Sequence, residues 1–223
     1  MNTSDLKQEF TKAFDTKPER VFFSPGRINL IGEHTDYNGG HVFPCAITIG
    51  TYGVYAPRTD TTVRMYSANI PDAGIVTFDV NDLSYDKAAG WTNYPKGMMD
   101  EIAKTGVKFD HGFDFYVHGN MPDGAGLSSS ASIELLTGIM LNTDFNLGIS
   151  QLDLVKIGQK CENNYVGVNS GIMDQLAVGM GKKDQAILLD TNTMDYSESV
   201  KSFTYNNALS LALIKAVMNI NKT

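Results

Sequence analysis

The stretch 122–132, Pro-Asp-Gly-Ala-Gly-Leu-Ser-Ser-Ser-Ala-Ser, constrains this chain more than any other. The alternating run 113–118 predicts a strand before it, and apolar residues at helical spacing predict a helix that begins near the serines: Ile133, Leu136, Met140 and Leu141. Glycines let a backbone approach a ligand closely, and hydroxyls here meet the unpaired N–H groups of the helix start. A turn with a serine cap is the common alternative, but two glycines and three serines exceed what a cap needs. The junction therefore predicts a phosphate site.

Two well-known phosphate loops do not fit this stretch. A Walker A loop needs Gly-Lys-Ser/Thr, and no lysine follows Gly126. A dinucleotide-binding fingerprint needs a third glycine where this chain has Ser129. The run Gly-Leu-Ser-Ser-Ser instead resembles the loop of the GHMP small-molecule kinases, which implies that it holds the phosphates of ATP. The resemblance assigns seven nucleotide-binding residues: Gly124, Ala125, Gly126, Leu127, Ser128, Ser129 and Ser130.

A second polar stretch, 25–40, gathers carboxylates, an imidazole and glycines that can hydrogen-bond the hydroxyls of a sugar. An exposed polar loop is the plain alternative, and Glu33 with Asp36 also suits the acid and base of a glycosidase. The sequence Pro-Gly-Arg-Ile-Asn-Leu-Ile-Gly-Glu-His-Thr-Asp-Tyr-Asn-Gly-Gly resembles the galactokinase signature almost residue for residue. This resemblance implies that Arg27 is catalytic, near the transferring phosphoryl group, and that four residues bind galactose: Glu33, His34, Thr35 and Asp36.

A third stretch, 166–175, places Asp174 in the first turn of a predicted helix, just after Gly171. An aspartate there is ordinarily a partner of the helix dipole. In the family that the chain resembles, the matching aspartate faces the sugar C1 hydroxyl. The resemblance therefore implies that Asp174 is the catalytic base and that Gly171 and Asp174 contact galactose. The family often has cysteine where this chain has Ser170, a change between small residues.

Magnesium is expected with ATP because hard cations take oxygen ligands. Ser130 and Glu162 match the metal-linked serine and glutamate of the family, although Glu162 on its own is more typical of a solvated helix carboxylate. Ser67 and Trp91, together with Tyr94, match positions near the nucleotide. Core packing is the alternative for Trp91.

Composition excludes several classes of protein. The 223 residues are 42% hydrophobic with a formal net charge of −7, so the chain can bury a core and is not expected to bind nucleic acid. Two cysteines are too few for a secreted disulfide scaffold. The polar start lacks the apolar region of a signal peptide, and no apolar run reaches the roughly 18 residues of a membrane span. We expect a cytoplasmic protein with no membrane partner.

The order of predicted elements indicates an α+β fold without a strict βαβ rhythm. We predict a first helix capped by Ser4 and ended by Pro18. The remaining predicted elements are strands over 21–23, 42–49, 52–55, 63–67, 75–80 and 186–189, and helices over 91–104, 150–163 and 171–180. The resemblance implies a GHMP-kinase N-terminal domain, a mixed sheet with packed helices, over 1–199.

Beyond residue 199 the resemblance fades. We interpret 200–223 as a divergent or truncated start of the second half, with the C-terminal domain missing. The segment 208–218 is almost continuously apolar, so we expect it to drive self-association. The missing half would also close the far wall of the nucleotide site, so we expect this chain to show negligible kinase activity.

Three functions remain open at this stage. The first is Mg-ATP-dependent phosphorylation of galactose at its C1 hydroxyl. The second is a non-catalytic galactose and ATP regulator. The third is an inactive fragment with a leftover site.

Overall fold

A five-stranded mixed sheet forms the centre of the computed structural model, which describes residues 1–197. Its strands run in the order β1, β3, β6, β4, β5, and only the β4–β6 pair is parallel. A second, antiparallel sheet has the order β2, β7, β8. The strands are β1 Arg20–Asn29, β2 His41–Val42, β3 Pro44–Pro57, β4 Thr62–Ser67, β5 Val76–Asp79, β6 Phe113–Gly119, β7 Leu188–Asp190 and β8 Tyr196–Ser197.

Helices cover both faces of the large sheet. The α-helices are α1 Thr3–Phe14, α2 Asn93–Ala103, α3 Ser129–Asp144, α4 Gln151–Lys160 and α5 Met173–Met180. Short 3₁₀ segments lie at Pro71–Ala73 and Lys87–Thr92, and a π-helix, Cys161–Val166, continues α4. Strand β6 shows why two layers form, because successive side chains point to opposite faces. Phe115 packs against α2 and α3, whereas Tyr116 packs against α1.

The predicted α+β class is confirmed, and so is the helix that starts at the serines. Ser150 caps α4 as expected, since its side chain accepts from the Asp153 amide. The predicted helix at 150–163 turns into the π-helix at Cys161. Residues 42–49 and 52–55 belong mainly to one long strand, β3, rather than to two.

The boundaries predicted for α1 are wrong at both ends. Asn2, not Ser4, is the cap: its side chain accepts a hydrogen bond from the Ser4 amide at 3.0 Å. The helix ends at Phe14, and its C-cap Asp15 adopts a left-handed conformation with φ of 52°, so the helix stops before Pro18 is reached. Asparagine and aspartate are both favoured at the ends of helices, because their short polar side chains hydrogen-bond to the nearby backbone. Asn2 and Asp15 therefore set the two ends of this short helix.

The expectations for 208–218 and for a boundary after residue 199 fall outside the described residues. Within 1–197, none of the helices is both long and apolar enough to cross a membrane.

Candidate functional site

Strand β1 and the loop 122–128 cross at close range near Arg27. The β1–β3 register shifts between Pro25 and Arg27, and the Arg27 amide donates to the Leu127 carbonyl at 3.1 Å. A Cβ at Gly26 would lie 2.9 Å from the same carbonyl and 2.5 Å from Sδ of Met121. Glycine is therefore required here for the strand to pass the loop.

Arg27 joins this loop to the start of α5. Its Nε and Nη2 donate to Oδ1 and Oδ2 of Asp174, each at 2.7 Å, which makes a bidentate ion pair. Its Nη1 donates to the Gly126 carbonyl at 2.7 Å. The Ser128 hydroxyl donates a further, short hydrogen bond to Oδ2 of Asp174. The loop, the arginine and the aspartate thus form one connected unit.

The loop itself surrounds an open cavity of about 330 Å³, lined by Arg27, Asp174 and residues 121–130. Gly124 and Gly126 have φ of 65° and 66°, and a Cβ on either would meet no atom within 4 Å. Both positions need glycine because φ is positive there, and the cavity next to them stays open. Ser128 has φ of 60°, which is uncommon for a residue with a side chain. Helix α3 then begins at Ser129, so its unpaired N–H groups border the cavity.

A neighbouring cavity of about 420 Å³ is lined by the other residues that are predicted to bind the nucleotide. Ser67 and Trp91 line it together with Tyr94, and Ser129 and Ser130 line both cavities. Apolar and aromatic walls beside a cavity lined by serines and a helix start suit a nucleotide base and its phosphates.

Asp36 extends from the loop 25–40, called the signature loop below, to the start of α5. A Cβ on Gly171 would overlap the Asp36 carboxylate, so the glycine permits this approach. Burial raises the pKa of Asp36, and the nearby Asp174 carboxylate raises it further. Backbone N–H groups of Asp36, Tyr37 and Met173 act in the opposite direction. Two acidic side chains therefore face one region beside the loop cavity.

The other predicted sugar contacts occupy the exposed part of the signature loop. Glu33 accepts from Nδ2 of Asn29 at 3.1 Å, and Nδ1 of His34 makes a short hydrogen bond with the Tyr37 hydroxyl. The Thr35 hydroxyl lies 2.7 Å from the Gly32 carbonyl and 2.9 Å from the His41 carbonyl. Thr35 therefore braces the loop, a role that the sequence prediction did not include.

A distant turn holds the end of this loop. The amide and the hydroxyl of Thr191 donate to the Gly40 carbonyl at 3.0 and 2.8 Å. Nδ2 of Asn192 donates to the Gly39 carbonyl. Strand β2, which follows the loop directly, pairs with β7.

The two predicted metal ligands lie on different elements. Ser130 is in the first turn of α3, and Glu162 is in the π-helix with 7% of its surface exposed. Oε2 of Glu162 accepts from Ser170 at 2.7 Å and from Nε2 of Gln175 at 2.8 Å. Glu162 is thus not the solvated carboxylate that its sequence context allows. Among residues 1–197 there is no cluster of three or more His, Cys, Asp or Glu side chains that could hold a metal ion.

Sequence reasoning missed the buried partners of these residues. Glu134 and Gln175 are both 0% exposed, and Nε2 of Gln175 also donates to Oε2 of Glu134 at 3.0 Å. Burial raises the pKa of Glu134 well above its ordinary value, with Glu162 as the next contributor. The available signal was a polar residue at a core position of an apolar helix.

Two family models match this chain. Residues 8–57 match the galactokinase galactose-binding signature, and residues 93–182 match the GHMP kinases N terminal domain. The two matches contain Arg27, Asp36, the loop 122–130, Glu162 and Asp174.

Curated relatives agree with these matches. A galactokinase of Lactiplantibacillus plantarum is 90% identical over 222 residues, which is 100% of this chain and 56% of that protein. A galactokinase of Levilactobacillus brevis is 59% identical over 88% of this chain and 51% of that protein. The chain therefore spans about half the length of the curated relatives that it matches.

Solved structures resemble the model closely. Lactococcus lactis galactokinase complexed with galactose has a TM-score of 0.84 and 43% identity, over 93% of this chain and 58% of that one. Mevalonate kinase of Methanococcus jannaschii has a TM-score of 0.70 at 17% identity, over 82% and 56%, and supports the fold alone. The two family matches, the close relatives and this structural agreement converge, and the chain belongs to the galactokinase family of the GHMP kinases.

Proposed function

We propose that this chain carries the site of a galactokinase, which transfers the γ-phosphoryl group of ATP to the C1 hydroxyl of galactose. The observation that carries the proposal is the Arg27–Asp174 ion pair, which adjoins the glycine- and serine-rich loop on one side. Asp36 approaches the other side over Gly171. A phosphate donor and a hydroxyl acceptor would therefore meet at this pair. The galactose in the related Lactococcus lactis structure supports galactose as the acceptor.

In the proposed step, the C1 oxygen of galactose forms a bond to the γ-phosphorus. The bond from that phosphorus to the β–γ bridging oxygen breaks, and ADP leaves with the electron pair. The hydroxyl proton passes to the Asp174 carboxylate, the general base. Positioning and charge stabilisation supply most of the acceleration in this chemistry. Arg27, once a ligand is present, places its positive charge beside the phosphoryl group while it orients Asp174.

The sugar would bind to Asp36, Glu33, His34 and Gly171, whose polar atoms suit its hydroxyls. The phosphates would lie against the start of α3, where loop N–H groups and serine hydroxyls serve as donors. Ser67 and Trp91 would contact the rest of the nucleotide.

Magnesium fits the residues present. Mg²⁺ takes oxygen ligands and usually keeps several waters, so one hydroxyl and one carboxylate suffice beside the phosphates. Ser130 and Glu162 would supply these two oxygens, and both hydrogen bonds that the Glu162 carboxylate accepts among the described residues reach Oε2. When bound, the ion would neutralise charge on the β- and γ-phosphates.

ADP release with and without galactose tests this function. The sequence alone leads us to expect negligible activity, but the Arg27–Asp174 pair and the phosphate loop are assembled within residues 1–197. We therefore expect ADP release that depends on galactose and that is not produced by methyl galactoside, whose C1 oxygen is blocked. Calorimetry should show that both sugars bind.

Galactose binding without any galactose-dependent ADP release would instead support a non-catalytic regulator. Absence of both binding and release would contradict the proposal and support an inactive fragment.

A further inference from the structure

A buried polar cluster lies among three helices beneath the phosphate loop. Nε2 of Gln175, on α5, donates to Oε2 of Glu134 on α3 at 3.0 Å and to Oε2 of Glu162 in the π-helix at 2.8 Å. Glu134 and Gln175 are 0% exposed. Among the described residues, Oε1 of Glu134 and Oε1 of Gln175 have no hydrogen-bond partner.

The cluster is placed directly under the site. Glu134 follows Ser130 by four residues, so the two lie on the same face of α3. Gln175 immediately follows Asp174. Helix α4 makes room for the cluster at Gly158, where a Cβ would lie 3.1 Å from Cγ of Gln175.

This cluster lowers the stability of the fold, so stability alone does not explain its presence. Burying polar atoms without partners costs free energy, and apolar side chains of similar volume usually pack at least as well. Its hydrogen bonds have one clear geometric effect, because Gln175 and Ser170 both donate to Oε2 of Glu162. This fixes the rotation of the carboxylate and leaves Oε1 for a further ligand.

We propose that Gln175 is a positioning residue, which holds the Glu162 carboxylate in the orientation that receives the divalent cation of the nucleotide. Glu134 anchors the Gln175 amide from the opposite side, and Ser170 adds a second donor. This inference rests on the proposed function, because it assigns the cation to Glu162. Partners that orient a metal ligand typically change metal affinity by about 10–100-fold when removed.

The test compares nucleotide affinity with and without the metal. A non-hydrolysable ATP analogue is titrated into the 223-residue chain by calorimetry, once with Mg²⁺ and once with EDTA. The ratio of the two dissociation constants measures the contribution of the metal. Gln175→Met removes the donor and keeps the length of the side chain. Gln151→Met is the matched control, since Gln151 lies on α4 and donates only to the Gly179 carbonyl among the contacts described.

We expect Gln175→Met to lower the Mg²⁺-dependent gain in affinity about 10-fold. Its metal-free nucleotide affinity and its galactose affinity should match those of the control. Ser170→Ala, a milder change at the surface of the cluster, should lower the gain in the same direction by a smaller factor.

An unchanged Mg²⁺-dependent gain in Gln175→Met would overturn the inference. Equal losses of metal-free nucleotide and galactose affinity would also overturn it, because they indicate a general packing role. A separate measurement tests the proposed function: absence of galactose-dependent ADP release in the unmodified chain would contradict that function and not the role of Gln175.

Discussion

At the residue scale, Asp174 receives more hydrogen bonds than an ordinary helix-capping carboxylate needs. Arg27 donates to both of its oxygens, and Ser128 donates to Oδ2. Three donors hold the carboxylate in one orientation before a ligand arrives, which reduces the entropy lost when the sugar binds. The proposed base is therefore preorganised by residues from two other elements.

Asp174→Asn should abolish turnover and leave galactose binding nearly intact. The amide keeps the size of the side chain but cannot accept the hydroxyl proton, and general bases contribute about 10²–10⁴-fold to rate. Steady-state kinetics gives kcat, and calorimetry gives the galactose dissociation constant. Retention of the unmodified kcat would rule out a required proton acceptor at this position.

Ser128→Ala distinguishes two roles for the first loop serine. The family resemblance assigns it to the nucleotide, whereas its hydroxyl here donates to Asp174. If orientation of the base is the main role, kcat should fall about 10-fold while the KM for ATP stays close to its original value. A large rise in the KM for ATP with an unchanged kcat would support phosphate binding instead.

At the element scale, each of the two loops depends on one glycine: Gly171 lets Asp36 approach the start of α5, and Gly126 gives the phosphate loop a positive φ. Gly171→Ala would push the Asp36 carboxylate away, so we expect galactose affinity to fall by about 10²-fold with nucleotide affinity little changed.

In Gly126→Ala the added methyl group meets no protein atom, but the alanine is forced into a left-handed conformation beside the phosphate cavity, at a cost of about 1–2 kcal/mol. It should weaken nucleotide binding and spare galactose.

Calorimetry with each ligand measures both variants. Equal weakening of the two ligands in either variant would show that the substitution only destabilises the fold.

The sequence predicted elements best where one signal dominated. Helix α3 was found because glycines, serines and apolar spacing agree over a short stretch. The ends of α1 were missed because Asn2 and Ser4 are both suitable N-cap residues, and because Asp15 stops the helix before Pro18 is reached. The π-helix after α4 was also missed, since its residues fit a normal helix equally well and tertiary packing makes the difference.

The candidate site was only partly predictable for a related reason. Its three polar stretches stand out in the sequence, but no local pattern indicates that Arg27 pairs with Asp174, 147 residues away. The role of Gln175 depends on three helices packed at one point, which sequence spacing does not encode.

At the scale of the whole molecule, a titrating cluster joins the end of α3 to the sheet. His111 lies 3.0 Å from Oδ2 of Asp144 and 2.6 Å from Oδ1 of Asp110, and its ring stacks on Phe145. The Tyr55 hydroxyl donates to the same Asp144 carboxylate. Burial lowers the pKa of His111, but the two carboxylates raise it more, so the net shift is upward from 6.5.

His111→Gln should therefore make stability less dependent on pH. Because the folded pKa is raised, the stabilisation is complete below about pH 6.5 and disappears as pH rises through the folded value. We expect a loss of about 1 kcal/mol, or roughly 2–4 °C in Tm, at pH 5.5, shrinking toward zero at higher pH. Thermal melts across this range measure it, and a pH-independent loss would contradict the assignment.

The hydrogen bonds from Thr191 and Asn192 to Gly40 and Gly39 have a consequence for the order of synthesis. The signature loop leaves the ribosome about 150 residues before the turn to which it is hydrogen-bonded. Strand β2 likewise waits for β7, its partner in the small sheet. Contacts of such long sequence separation form late, because the chain must first close a large loop. A nascent chain can thus complete much of the five-stranded sheet while the loop 25–40 is still mobile, and this loop becomes fixed only after residue 192 has emerged.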